Sequence, residues 1–229
     1  AKALSASVVA AVARSRHPVL YTMHEYYMLC PNGGFYNYRS HAHCTLKPLS
    51  AACWTTHCDT RNIGFKLWRN ARGVIADTLG RVPGTLTNIA HFHPYQKALI
   101  APHLPATTRY FEIANPVEAD DPGPKTDPAS GDFTFVGRLS TEKGCPLFAE
   151  AAERAGVTPA FVGDGPAAEE LKRRFPNARF HGWRDSAGVR RALRAARCLV
   201  FPSLWHEGQP LTVLESLAMG TPVVAGDGS

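Results

Sequence analysis

From residue 133 onward, short apolar runs alternate with amphipathic stretches. FTFVG (133–137), PAFVG (159–163), residues 178–181, CLVFP (198–202) and residues 222–225 read as buried strands. Between them, 147–155, 167–175, 187–195 and 211–219 carry the spacing of helices with one apolar face. Strands alternating with helices of this length predict a parallel, doubly wound α/β sheet. Such sheets bind ligands beyond the carboxyl ends of their strands, so the residues after each strand are the ones to read for chemistry.

The front half is less regular. Residues 3–13 read as a helix and 18–23 as a strand ending in His24-Glu25. A stretch rich in Cys, Asn and aromatic residues follows. Residues 62–71 then read as a helix, 73–76 as a strand and 94–100 as a helix, and 109–113 lead to Asn115-Pro116. This half also reads as α/β, but no opening strand with a Gly-rich turn precedes it, so the start of a Rossmann-like domain is expected to be missing. Residues 117–131, VEADDPGPKTDPASG, hold three prolines, two glycines and four acidic residues with almost nothing to bury, the composition of a linker. The expected organisation is therefore a domain at 1–116, a linker at 117–131 and a second domain at 132–229.

Composition changes this picture little. Of 229 residues, 45% are hydrophobic and 19% charged, ordinary globular values. The sequence has no run of apolar residues long enough to span a bilayer. The first residues lack a basic stretch and begin without Met, which argues against a signal peptide and for a helix cut from a longer chain. The net charge of +6 suits a partner that carries phosphates. Arg190, Arg191, Arg194 and Arg197 also fit a solvated helix face, and no basic patch interleaved with aromatics points to nucleic acid.

Six cysteines are present. Cys145 and Cys198 sit in apolar segments as small core residues. Cys30, Cys44, Cys53 and Cys58 lie close together, with 13, 8 and 4 residues between successive members. Four thiolates can hold a structural zinc, yet this spacing is not that of a zinc finger. Two disulfides, or unpaired core thiols, are the other readings.

Three strand ends carry candidate chemistry. After FTFVG comes GRLSTEKG, in which Arg138 and Lys143 leave one glycine-bounded loop as two cations suited to a diphosphate; a solvated loop is the alternative. After PAFVG comes Gly163-Asp164-Gly165-Pro166, where two glycines permit close backbone approach to a ligand or simply a tight turn. After CLVFP comes SLWHEGQP, then the helix LTVLESLAMG. Pro210 is expected at the first helical position, and the helix start offers free amides to oxygen atoms of a ligand. Glu207 and Glu215 are separated by seven residues, a spacing that Glu142 and Glu150 share. A carboxylate at 215 among Leu211, Val213, Leu214 and Leu217 is expected to be buried and to need a ligand as partner.

Taken together, VGRLSTEKG, FVGDGP and FPSLWHEGQPLTVLESLAMGTPVVAGD resemble the donor half of the retaining glycosyltransferases of family 4. VLYTMHEYYMLCPNG and ANPV resemble, more loosely, that family's acceptor-side domain and its crossing point. The resemblance implies the GT-B fold, two Rossmann-like domains each with a parallel sheet flanked by helices. It also implies that both are incomplete here, because the family continues beyond Gly226-Asp227-Gly228-Ser229. Implied roles are diphosphate binding and charge stabilisation for Arg138 and Lys143, ribose binding for Glu215, and sugar binding for Glu207 with the amides of Gly208, Gln209 and the helix start at Pro210 and Leu211. Gly163 and Gly165 would border the donor, and His24 would act on the sugar. The implied reaction moves a hexose from a nucleotide-diphosphate sugar to an acceptor hydroxyl with retention, in bacterial surface or exopolysaccharide synthesis, with no metal needed for the chemistry. The acceptor would be a saccharide or lipid-linked saccharide, in the cytoplasm with room for peripheral attachment at the inner membrane face. Another GT-B enzyme, such as an epimerase or phosphorylase, and a non-catalytic nucleotide-sugar binder are the competing readings.

Overall fold

The structure, a computed structural model, describes residues 6–15, 17–117, 123–125, 127 and 129–226. The chain divides into two compact units, Ala1–Asn115 and Pro116–Ser229.

The first unit contains helix α1 (Ala6–Arg14), strand β1 (Tyr21–Thr22), a small hairpin of β2 (Tyr36–Asn37) and β3 (Ala42–His43), helices α2 (Ala51–Thr55) and α3 (Ile63–Gly80), β4 (Asn88–His91), α4 (Pro94–Ile100) and β5 (Arg109–Glu112). Its parallel sheet runs β1-β4-β5 with β4 central. Met23, Ile89 and Ile100 are fully buried there. Of the helix expected over 3–13, residues 3–5 lie outside the described residues.

The strand expected at 73–76 does not exist: those residues are the middle of α3. Asn62 caps this helix by accepting from the Phe65 amide, and it runs on until Arg81 turns left-handed at φ 52°. Gly73 interrupts it without breaking it because Leu49 packs there, 3.2 Å from where a Cβ would lie. The buried stripe of α3 is also unusual. Lys66 and Asn70, four residues apart on one face, are buried, whereas Trp68 is 60% exposed.

The second unit alternates as its hydrophobic pattern predicts: β6 (Phe133–Val136), α5 (Cys145–Arg154), β7 (Pro159–Val162), α6 (Ala168–Arg174), β8 (Arg179–Phe180), α7 (Ser186–Ala195), β9 (Cys198–Phe201), α8 (Leu211–Ala218) and β10 (Val223–Ala225). The five strands are parallel in the order β10-β9-β6-β7-β8. Neighbouring residues point to opposite faces. Phe135 and Phe161 pack with Phe148 of α5 and Leu171 of α6, while Val136 and Val162 pack with Leu193 of α7 and Met219 beyond α8. Each fully buried large side chain such as Phe161 contributes roughly 1.5–3 kcal/mol. Cys145 and Cys198 lie buried in this unit.

Candidate functional site

The strand order fixes where a ligand belongs in the second unit. From β6 the chain winds outward through β7 and β8, then returns to place β9 on the other side of β6. The crevice beyond the carboxyl ends of β6 and β9 is thus the topological switch point.

The loops at this point are tied together by backbone contacts. Leu139 donates from its amide to the Asp164 carbonyl at 3.0 Å, and Ala167 donates to the Leu139 carbonyl at 3.0 Å. Leu204 donates to the Glu142 carbonyl at 2.9 Å, joining the loop after β9 to the loop after β6. Gly144, at φ 73°, sits so close to the end of β9 that a Cβ would lie 1.9 Å from the Pro202 carbonyl oxygen. Gly163, at φ 138°, sits equally close to the Gly137 carbonyl oxygen, 1.9 Å from its would-be Cβ. The close approach at Gly163 is therefore loop against loop. Gly165 likewise sits close to the Leu139 carbonyl oxygen, 2.3 Å from its would-be Cβ, and its amide donates to Asp164 Oδ1 at 2.7 Å.

Two sequence-predicted residues meet here. Lys143 Nζ, at the end of a 3-10 turn (Thr141–Lys143), donates to Glu207 Oε1 at 2.6 Å. The pair spans the switch point, with one residue following β6 and the other β9. Its side chains are only 24% and 10% exposed. The same oxygen of Glu207 accepts from Ser203 Oγ at 2.6 Å and from Trp205 Nε1 at 2.7 Å. Lys143 Nζ also stands 5.0 Å from the centre of the Trp205 ring. Sequence reasoning missed Ser203 and Trp205. Their signal was present, two donor side chains within four residues of a loop carboxylate.

Arg138 is exposed and its guanidinium has no partner among the described residues. Gly208 and Gln209 continue the loop that carries Glu207. Pro210 is the N-cap of α8 in an extended conformation, not its first helical residue, and its carbonyl accepts from Val213 at 3.1 Å. Among the described residues nothing accepts from the amides of Leu211 and Thr212, so the helix start does present free donors.

The expected burial of Glu215 needs correction. Leu211 is 50% and Leu217 57% exposed, and Ser216 is the buried member of α8. Glu215 is half-buried, and its carboxylate has no partner among the described residues. The Arg194 expectation also changes. Its half-buried side chain donates to the Met219 carbonyl at 2.9 Å and the Pro124 carbonyl at 2.6 Å, holding the end of α8 and the segment before β6.

In the first unit, His24 follows β1, is exposed, and packs on Phe92 with ring centres 5.0 Å apart. The strand end behind it is pinned by buried Gln96, which donates to the Met23 carbonyl at 2.7 Å and accepts from the Phe92 amide at 2.9 Å.

Cys30, Cys44, Cys53 and Cys58 are all free thiols, and among the described residues no group of three or more His, Cys, Asp or Glu side chains is placed to hold a metal ion. An ammonium is found there instead. Lys66 Nζ donates to Cys53 Sγ at 3.3 Å, with the Cys58 sulfur near enough to act on its charge. Burial pulls the Lys66 pKa down and the two sulfurs push it up, with a net rise. Burial raises the Cys58 thiol, and Lys66 partly offsets it. Beside this cluster, Asp59 is fully buried against Arg69 Nε at 2.9 Å, and Arg69 Nη1 donates to Asn32 Oδ1 at 2.9 Å.

Residues 130–229 match the family described as glycosyl transferases group 1. Part of the chain also resembles curated proteins. One is named as the teichuronic acid biosynthesis glycosyltransferase TuaC of Bacillus subtilis (strain 168), 40% identical over 95 residues, 41% of this chain and 24% of that one. Another is the UDP-Gal:alpha-D-GlcNAc-diphosphoundecaprenol alpha-1,3-galactosyltransferase of Escherichia coli, 35% identical over 106 residues, 40% of this chain and 27% of that one. The match thus spans about a quarter of the length of these relatives. Among solved structures, Anabaena Alr3699/HepE in complex with UDP and glucose covers 98% of this chain with a TM-score of 0.59 at 16% identity, using 58% of its own length. The fold is GT-B: α/β units with parallel sheets flanked by helices. Among the described residues no helix is long and apolar enough to cross a membrane.

Proposed function

We propose that this chain carries the donor site of a retaining glycosyltransferase that moves a hexose from a nucleotide-diphosphate sugar to an acceptor hydroxyl in bacterial surface polysaccharide synthesis. The observation that carries the reading is the Lys143–Glu207 pair across the β6/β9 switch point, within a segment matching glycosyl transferases group 1. Arg138 and Lys143 take the diphosphate and stabilise the charge that develops on the leaving nucleotide, an electrostatic contribution needing no nucleophile from the protein. Glu207, the neighbouring amides of Gly208 and Gln209, and the free amides at the start of α8 hold the hexose. Glu215, half-buried and with no partner for its carboxylate among the described residues, accepts from the ribose hydroxyls. His24 is a catalytic residue of the same reaction. The acceptor is a saccharide, lipid-linked as the name of the Escherichia coli relative states for that protein, and the work is done in the cytoplasm at the inner face of the membrane.

The test is transfer itself. UDP- and GDP-hexoses are offered with diphospholipid-linked saccharide acceptors, and the anomeric configuration of the product is read by NMR. The reading expects a product with the donor's configuration, and a fall in turnover without loss of nucleotide affinity in His24→Ala. An inverted product, or epimerised sugar without transfer, contradicts it.

A further inference from the structure

Glu207 has two carboxylate oxygens, and the structure treats them unequally. Oε1 accepts from Lys143, Ser203 and Trp205 at 2.6, 2.6 and 2.7 Å. Oε2 has no partner among the described residues. Three donors on one oxygen fix the carboxylate's rotation and leave the other oxygen as its available acceptor.

The Trp205 side chain meets both members of the ion pair. Its indole N–H donates to Glu207 and its ring faces the Lys143 ammonium. This matters because Lys143 cannot serve two anions fully. A diphosphate arriving at the β6 loop competes with Glu207 for the ammonium. If Lys143 moves toward phosphate, Glu207 loses its charged donor while mostly buried, where an unpaired carboxylate is costly. Two neutral donors, Ser203 and Trp205, remain on Oε1. An indole N–H can only donate, so it cannot turn to accept from Lys143 as a hydroxyl could.

We propose that Trp205 is a positioning residue for the donor sugar: it holds Glu207 with Oε2 toward the ligand and keeps it there when Lys143 is drawn to the diphosphate. This rests on the donor-site reading above. The indole edge serves the sugar through Glu207, and the indole face serves the ammonium.

The two roles separate by substitution. Trp205→Phe keeps a ring face and removes the N–H; Trp205→Leu removes both. UDP, GDP, UDP-glucose and GDP-mannose are titrated by calorimetry into the wild-type chain and both variants, with thermal melts confirming folding. For the base that binds, Trp205→Phe is expected to hold the nucleoside diphosphate within about twofold of wild type and to bind the nucleotide hexose about tenfold more weakly. Trp205→Leu is expected to weaken both, and if it fails to fold, Trp205→Phe carries the test alone. Equal losses for both ligands in Trp205→Phe, or no loss for the nucleotide hexose, overturn the proposal. A folded wild-type chain that binds none of the four overturns the donor-site reading. A second measurement is independent of nucleotide. By NMR the Trp205 indole N–H should exchange slowly in the free chain and faster in Glu207→Ala, and fast exchange in wild type overturns the clamp by itself.

Discussion

Two lysines of this chain are held out of bulk water in opposite ways. Lys143, in the second unit, keeps 24% of its side chain exposed, in a loop that joins two strand ends. Its partners are a carboxylate, which attracts it at full charge, and an indole face, which attracts it weakly. Lys66, in the first unit, is 1% exposed on the inward stripe of α3 and is bonded to cysteine sulfur. A cation that can trade one anion for another suits ligand binding, whereas a cation enclosed by soft, poorly hydrated groups suits holding a segment in place. Residues 30–62 have little regular structure beyond a hairpin of two-residue strands and a five-residue helix, yet residues 30–36, 53, 58 and 59 are buried. Polar contacts to Lys66 and Arg69 fasten it to α3 where an apolar core is thin.

The largest expected effect breaks that fastening. Arg69→Met leaves fully buried Asp59 without its ion-pair partner and is expected to cost about 3–5 kcal/mol in chemical denaturation. A loss below about 1 kcal/mol would mean that the pair contributes as little as a surface bridge.

Next comes the contrast between the lysines themselves. Lys143→Met is expected to lower nucleoside-diphosphate affinity by about tenfold or more, the usual worth of a charged hydrogen bond. Lys66→Met is expected to leave that affinity unchanged and to alter only the melting of the cysteine segment, followed by hydrogen exchange. Equal effects of both substitutions on nucleotide binding would erase the distinction.

The smallest effect is one of pH. Burial, and then the positive charge of Lys47, hold the His103 pKa below its ordinary value, with its ring stacked on Phe35 at 5.0 Å. The unfolded chain therefore takes up this proton first. The contribution is complete above the ordinary histidine value of about 6.5 and is lost as pH falls through the folded value. Melting temperature should decline on acidification through this range, and His103→Gln should flatten the decline.

How far the sequence revealed these two regions follows from the same physics. In the second unit apolar residues face inward on both sides of the central strands β6, β7 and β9, so the hydrophobic pattern placed the strands and helices within a few residues. The three loops with chemistry were found because each follows a strand. The pairing of Lys143 with Glu207 was not legible, since it depends on β9 returning beside β6, a neighbour relation that local pattern does not carry. In the first unit, the apolar run 73–76 suggested a strand because β-branched residues cluster there, while the helix that contains them turns a polar stripe inward. Lys66 in IGFKLWRN gives no hint of burial, because its neighbours Phe65 and Trp68 carry the apolar signal and are the exposed ones. The four cysteines stand out as a group by closeness in sequence, but residue spacing alone could not show that an ammonium donates to Cys53 and lies near Cys58.

The central claim, a nucleotide-sugar donor site at the β6/β9 switch point, is tested most directly by titrating UDP and GDP into the chain by calorimetry, with Arg138→Ala alongside. Arg138 is exposed and its guanidinium has no partner among the described residues, so its removal should leave the fold intact. The account predicts that one of the two nucleotides binds the wild-type chain and that Arg138→Ala weakens it by about tenfold or more. A folded chain that binds neither, or an Arg138→Ala variant that binds as tightly as wild type, would contradict it.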